Sequence, residues 1–249
     1  MKLSQKQIEE IENKYLTKFY FFLKYTEDEL LKGFNTKEKI KDDWMDKYKS
    51  GISDFAVGAE RIVYSLFNGK GIGQPNSAPV GSDMFFEVDD AFIHIDLKTV
   101  QTENIGDYTS SIFVGSNQNS YKSEIKQLNG SSFSPVRIYE PALPTYYNKD
   151  KENEKICLSY FITILYEREN LSILNINILS MPNGELESHY KNRPLQAGKI
   201  AAEARFNLYE VSKFELLDTN PSRIKVAYFK NDMKKEFKDR LSFFNNLLI

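Results

Sequence analysis

Two aspartates and a lysine stand in one short stretch, GSDMFFEVDDAFIHIDLKT, residues 81–99: Asp83 first, then Asp96 and Lys98. Two carboxylates can share a magnesium ion, which prefers oxygen ligands and keeps positions for waters and phosphate oxygens. A neighbouring ammonium group can orient or deprotonate a water, or stabilise the phosphorane-like charge that builds on a phosphate under attack. The trio is what magnesium-dependent cleavage of a phosphodiester requires. Asp-x-Lys on a strand is common and means little alone, so what matters is where the three side chains point.

Parity answers that. Residues 84–88 and 91–97 alternate about an Asp89-Asp90 turn, which predicts a β-hairpin. Met84, Phe86, Val88, Ala91, Ile93, Ile95 and Leu97 are all apolar and form the face toward a core. Asp83, Phe85, Glu87, Phe92, His94, Asp96 and Lys98 form the other face. A two-residue turn at 89–90, or a four-residue loop over 88–91, opposes Val88 to Ala91, Phe86 to Ile93, Met84 to Ile95 and Asp83 to Asp96. Opposed Cβ atoms sit roughly 4.5–5.5 Å apart, and like charges there are destabilising. A shared divalent cation is the obvious reason for such a pair.

The elements around the hairpin must hold it in place. Residues 4–25 read as a helix capped by Ser4, with Ile8, Ile11, Tyr15, Phe19 and Phe22 at helical spacing. A short charged helix is expected over 36–49, and a stronger one over 53–68, capped by Ser53. The latter carries Glu60 among Ala56, Ala59, Val63 and Phe67, on its apolar stripe. Glu60 either reaches solvent from the stripe's edge or stands as a third carboxylate near the metal or its water. A Gly/Pro/Asn loop leads into the hairpin. Beyond it, residues 112–130 read as a short strand, a turn near Gly115 and a helix. Residues 155–167 read as a strand buried on both faces, and the alternating 171–181 as its partner. Residues 188–208 are a polar segment, and 231–248 an amphipathic helix with Met233, Phe237, Leu241, Phe244 and Leu248 on one face. The fold class is α/β (α+β), a mixed central sheet flanked by helices.

Composition narrows the function classes. The chain has 249 residues, 41% hydrophobic and 14% aromatic, enough for one large domain. It has no apolar run long enough to span a bilayer, and its charged start lacks a signal peptide's apolar stretch, so a cytoplasmic location is expected. One cysteine, Cys157, excludes an internal disulfide and a cysteine-based zinc site, and two histidines, His94 and His189, exclude a histidine-rich centre. Net charge is −2, but residues 189–249 carry twelve Lys/Arg against seven Asp/Glu, which leaves room for a local positive surface.

A helix with a glutamate, a Gly/Pro-rich loop and Asp–x12–Asp-x-Lys on a hairpin resembles the PD-(D/E)XK nuclease superfamily. Among its members the stretch is most similar to type II restriction endonucleases of the blunt-cutting branch, whose lysine strand reads D-I-K-T; here it reads Asp96-Leu97-Lys98-Thr99. Ser82 replaces the proline of the motif's name. The likeness covers residues 53 to about 167. It implies a restriction-endonuclease-like fold in a single nuclease domain, 1–249, with helices 4–25 and 231–248 as dimerisation or DNA-flanking elements. It implies Asp83 and Asp96 as ligands of Mg2+ (Mn2+ substituting), Lys98 assisting the attacking water and Glu60 supporting the metal. It further implies a homodimer acting on a short palindromic site in double-stranded DNA, leaving 5′-phosphates, with no membrane and no small-molecule cofactor.

Asn and Gln can read adenine, and Arg and Lys guanine, while phosphate contacts set position. Asn117, Gln118, Asn119, Tyr121 and Lys122 suit phosphate or groove contacts. Asn192, Arg193, Gln196 and Lys199 occupy the position of the family's recognition loop. His94 is expected to be packed or hydrogen-bonded rather than a base, and Gln101 to continue the site's face. A repair nuclease, junction resolvase or exonuclease of the same chemistry, or a non-catalytic DNA-binding protein keeping the fold, are the rival readings.

Overall fold

The computed structural model of the protein describes residues 3–39, 54–68, 70–76, 82–119, 123–126, 136–198 and 203–248. Its centre is a seven-stranded mixed sheet. Along the sheet run β1 (Gln74–Asn76), β2 (Met84–Glu87), β3 (Ala91–Gln101), β8 (Lys155–Tyr166), β9 (Ile173–Met181) and β12 (Ile224–Phe229), with the short β7 (Tyr146–Tyr147) also paired to β8. All pairs are antiparallel except β3 with β8, which run parallel from Ala91 opposite Ile156 to Gln101 opposite Tyr166. The chain between these two strands holds β4 (Ser111–Phe113), β5 (Ser123–Lys126) and β6 (Val136–Tyr139). β4 joins β11 (Ala204–Asn207) and β10 (Leu195–Ala197) in a three-stranded sheet, and β5 pairs with β6.

The hairpin has the register that parity requires: Met84 faces Ile95, Phe85 faces His94, Phe86 faces Ile93 and Glu87 faces Phe92. Val88 N–H donates to the Ala91 carbonyl across the turn. β8 is buried along nearly its whole length and β9 throughout, as expected of strands covered on both faces. β1 approaches β2 through Gly73, where a Cβ would collide with the Glu87 carbonyl oxygen.

Helix α1 (Gln5–Tyr25) starts with a capping box: Ser4 Oγ accepts from Gln7 N–H while Gln7 Oε1 accepts from Ser4 N–H. α2 (Glu27–Lys39) follows after Thr26, and α3 (Asp54–Phe67) precedes the hairpin. α1 and α3 lie on the apolar side of the sheet. Phe19 stacks on Phe67 at 5.7 Å between ring centres and meets Tyr160 edge-on at 5.2 Å, and Tyr160 shares a face with its neighbour Ile95. The short helices α4 (Gly106–Thr109), α5 (Glu187–Tyr190), α6 (Lys235–Arg240) and α7 (Ser242–Asn245) complete the fold.

Three local expectations are corrected. Residues 36–39, expected to open a helix, instead close α2, which begins at Glu27 with Glu27, Asp28 and Glu29 in its first turn, where acidic side chains favour the helix dipole; residues 40–49 and Ser53 lie outside the described residues. Among the described residues between Gly115 and β6 there is no helix: Gly115 takes φ +59°, and residues 123–126, expected to be helical, form a strand whose partner is β6. The single helix expected over 231–248 is broken at Leu241 (φ −93°, ψ 14°) into α6 and α7, which lets Leu241 and Phe244 bury fully while Leu248 stays exposed.

Candidate active site

β3 delivers Asp96 and Lys98 to the face of the sheet opposite α1, and Asp83 sits in the bend just before β2. The hairpin's ladder ends at the Met84–Ile95 pair. The next amide along β3, that of Leu97, donates instead to Asp83 Oδ2 at 2.6 Å. This bond holds the exposed Asp83 carboxylate against the strand carrying Asp96. The two aspartates and the lysine thus converge: Asp83 is near enough to raise the Asp96 carboxyl, and Lys98 Nζ is in ion-pair contact with Asp96 Oδ2 at 2.6 Å.

Asp96 is only 4% exposed. Its carboxyl is pushed up to about 7, chiefly by burial, with the Lys98 ammonium opposing and the neighbouring Asp83 adding to the rise. Oδ2 is buried, and the Lys98 ammonium is its charged partner. Lys98 Nζ also lies 5.3 Å from the centre of the Phe113 ring, a favourable cation–π position.

Glu60 is half-buried on α3 and raised above the usual carboxylate range, first by burial and next by Asp83, with Lys98 and Arg61 opposing. It therefore shares the electrostatic field of the trio. Among the described residues no three His, Cys, Asp or Glu side chains gather closely enough to hold a metal.

His94, one pleat before Asp96, is 1% exposed and hydrogen-bonded at both ring nitrogens: Nδ1 to Ser82 Oγ at 2.8 Å and Nε2 to Tyr147 Oη at 2.9 Å. Burial lowers it to about 4, so the imidazole is neutral at ordinary pH. Gln101 does not continue the site's face. It falls on the same side of β3 as Leu97 and Thr99, and its amide donates to Tyr166 Oη at 2.9 Å. Lys98 sits in one row of the sheet with Thr163 and Asn177. There Tyr108 from α4 bonds both Asn175 and Asn177 at 2.7 Å. Phe113 and this buried polar row belong to the site's support, and no local spacing in the sequence points to them.

The expected DNA-contacting residues part company. Gln118 and Asn119 are fully buried. The Asn119 amide donates to the Cys157 carbonyl, and its own carbonyl accepts from Gly184 N–H at 2.9 Å. Their polar character serves the interior, which corrects the expectation of a groove-facing run. Asn117 is half-buried, Asn192 exposed and Gln196 half-buried opposite Arg205. Arg193 is committed to a two-pronged pair with Glu215, 2.8 Å to each oxygen. Tyr121, Lys122 and Lys199 lie outside the described residues.

This architecture is the restriction-endonuclease fold. The structure is similar to that of the restriction endonuclease BglI bound to its DNA recognition sequence, with a TM-score of 0.65 and 16% identity over 88% of this chain and 90% of that one. It is also similar to the tetrameric restriction endonuclease SfiI bound to cognate DNA, with a TM-score of 0.63 and 15% identity over 93% of this chain and 88% of that one. In sequence, residues 4–170 match the family model of the N-terminal domain of the type II restriction enzyme MwoI, and residues 173–229 that of its central domain. The chain belongs to the MwoI family of type II restriction enzymes. No curated protein matches it in sequence. The break between the two matched segments falls in the turn joining β8 to β9, so both contribute strands to the central sheet.

Proposed function

We propose that the protein is a divalent-cation-dependent PD-(D/E)XK endonuclease that cuts both strands of DNA at a short specific site, with Asp83 and Asp96 as cation ligands. The observation that carries this is the meeting of two carboxylates and an ammonium: Asp96 is buried, with Asp83 beside it and Lys98 against its Oδ2 at 2.6 Å. The donors are all oxygen, which suits Mg2+ or Mn2+ rather than zinc. When bound, such a cation supplies Lewis-acid polarisation of the phosphodiester and lowers the pKa of a water.

The chain's own groups do the rest. Asp83 is preset by its bond to the Leu97 amide, so its carboxylate needs little reorganisation. Lys98, steered by Asp96 and the Phe113 ring, places a positive charge where negative charge builds on the phosphate, or orients the attacking water. Glu60 adds a carboxylate at the rim that supports the metal shell. A homodimer would match the two-fold symmetry of a palindromic site, with hydrolysis leaving 5′-phosphates.

The direct experiment is digestion of a sequenced DNA with the protein and Mg2+, followed by mapping of the ends. Discrete fragments that vanish with excess EDTA are the expected result, and the mapped ends give the recognition site and the cut position. Cutting that survives EDTA would overturn the metal mechanism; a smear of unrelated ends would favour a repair nuclease or exonuclease.

A further inference from the structure

Asp83 is held on one side by its own carboxylate and the Leu97 amide. What holds the other side is the residue immediately before it. Ser82 is buried although it stands in an irregular bend, and its hydroxyl meets His94 Nδ1 at 2.8 Å. The opposite nitrogen of the same ring meets Tyr147 Oη at 2.9 Å. The ring lies in an aromatic cluster, 4.5 Å from Phe85 and 5.8 Å from Tyr147 between ring centres, with Phe92 completing it. Tyr147 is in turn fixed by strand pairing to Lys155 on β8. An unbroken chain of contacts therefore runs from the central strand β8, through Tyr147 and His94, to the peptide that enters Asp83.

The chain is polar where packing alone would need none. A buried imidazole with both nitrogens satisfied is rigid in orientation, because rotating it breaks two hydrogen bonds. Ser82 occupies the position at which the motif's name has a proline, a residue that stiffens the backbone covalently. Here the serine hydroxyl, held by a fixed imidazole, restrains the same peptide from outside.

We propose that Ser82, His94 and Tyr147 are positioning residues for Asp83, fixing its carboxylate beside Asp96 for the divalent cation without touching the cation or DNA. This rests on the assignment of Asp83 as a cation ligand. Partners that orient a ligand carboxylate from behind are worth roughly 10- to 100-fold in metal affinity or activity, and the same loss is expected here.

The two ring nitrogens allow the chain to be cut at either end. An asparagine at 94 places its amide near the position of Nδ1 and can keep the bond to Ser82; a glutamine reaches toward Nε2 and can keep the bond to Tyr147 instead. The test compares Ser82→Ala, His94→Asn and His94→Gln with wild type in the full chain. One readout is the Mn2+ concentration giving half-maximal single-turnover cleavage. A second is Mn2+ bound by the protein alone, read from the EPR signal of free Mn2+, and a third is DNA affinity without metal.

Ser82→Ala and His94→Gln should weaken Mn2+ binding and raise the half-maximal concentration about 10-fold or more, with metal-free DNA affinity unchanged, while His94→Asn, which keeps the Ser82 bond but loses the Tyr147 anchor, should show a smaller loss. Equal Mn2+ affinity in Ser82→Ala and wild type would overturn the proposal, and so would equal losses in His94→Asn and His94→Gln. Ser82→Ala removes one oxygen atom, so it remains informative if the histidine variants fold poorly. If wild type binds Mn2+ but cleaves no DNA, the endonuclease reading fails while the Mn2+ comparison still decides the positioning claim.

Discussion

The Leu97 amide donates to the Asp83 carboxylate at 2.6 Å, so the first acid of the site is tied to the backbone between Asp96 and Lys98. The bond takes the place of the next rung of the β2–β3 ladder, and the end of a hairpin becomes a fixed pair of carboxylates. Asp96→Ala and Lys98→Ala should each lower cleavage by at least roughly 100- to 1,000-fold and leave DNA binding largely intact. Single-turnover cleavage and fluorescence-anisotropy binding on the same duplex check this. Loss of both together would make the two residues part of binding instead.

Glu60 offers a graded test of how far the site extends. It is half-buried, and burial followed by Asp83 raises its carboxyl. If it supports the metal shell, Glu60→Gln should cost roughly 10- to 100-fold in cleavage and raise the Mg2+ requirement. A side chain that merely reaches solvent from the edge of the stripe would leave both unchanged. A Mg2+ titration of single-turnover rates distinguishes the two.

The parts legible in the sequence are those fixed by short-range pattern. The β2–β3 register follows from strict alternation with a turn at its centre, and α1 from Ser4, Gln7 and a helical repeat of apolar residues. The pairing of β8 with β9 follows from one long apolar run and an alternating one, although β9 is buried throughout rather than on one face. What was not legible depends on partners far along the chain. α1 shows the stripe Ile8, Ile11, Tyr15, Phe19 and Phe22, yet the structure buries Glu9 and Glu12 fully and leaves Ile11 and Phe22 only half-buried. The reason is Arg223, more than two hundred residues away, which bonds both glutamates. Asn119 looked like a surface polar residue for the same reason: its acceptor, the Cys157 carbonyl, lies on a strand no local pattern connects to it.

The Glu9–Glu12–Arg223 cluster predicts a stability effect with a definite pH dependence. Arg223 is fully buried, donates to Glu12 Oε2 at 2.8 Å and Glu9 Oε1 at 2.9 Å, and lies 4.2 Å over the Phe214 ring. Arg223→Leu strands two buried carboxylates and should cost about 3–5 kcal/mol. Glu12 is raised from 4.5 to about 7, chiefly by burial, with Arg223 the leading influence against it. A carboxyl raised in the folded state contributes stability below its unfolded pKa, and loses it as pH climbs through the folded value. Without Arg223 the folded value climbs further. Urea unfolding of variant and wild type should therefore show a gap that is larger at about pH 9 than at about pH 6, the widening setting in as pH passes the wild-type value of about 7. An equal gap at both would contradict the assignment.

Asn119 decides whether the polar run 117–122 reads DNA or builds the interior. Its side-chain amide caps the Cys157 carbonyl on β8, and its backbone carbonyl receives Gly184 N–H just after β9. It therefore joins the segment after β4 to β8 and to the turn that follows β9. Asn119→Ala removes the donor to a buried carbonyl, and the expected cost is about 1–3 kcal/mol of stability. Asn183 Nδ2, which also donates to the Cys157 carbonyl at 2.8 Å, places the effect toward the lower end. A residue that read bases would behave differently, since its loss would relax sequence preference at unchanged stability. Thermal unfolding, set beside the cleavage pattern on a sequenced DNA, separates the two. A lowered melting temperature with the same fragments is the expected result, and unchanged melting with new fragments would return Asn119 to the DNA interface.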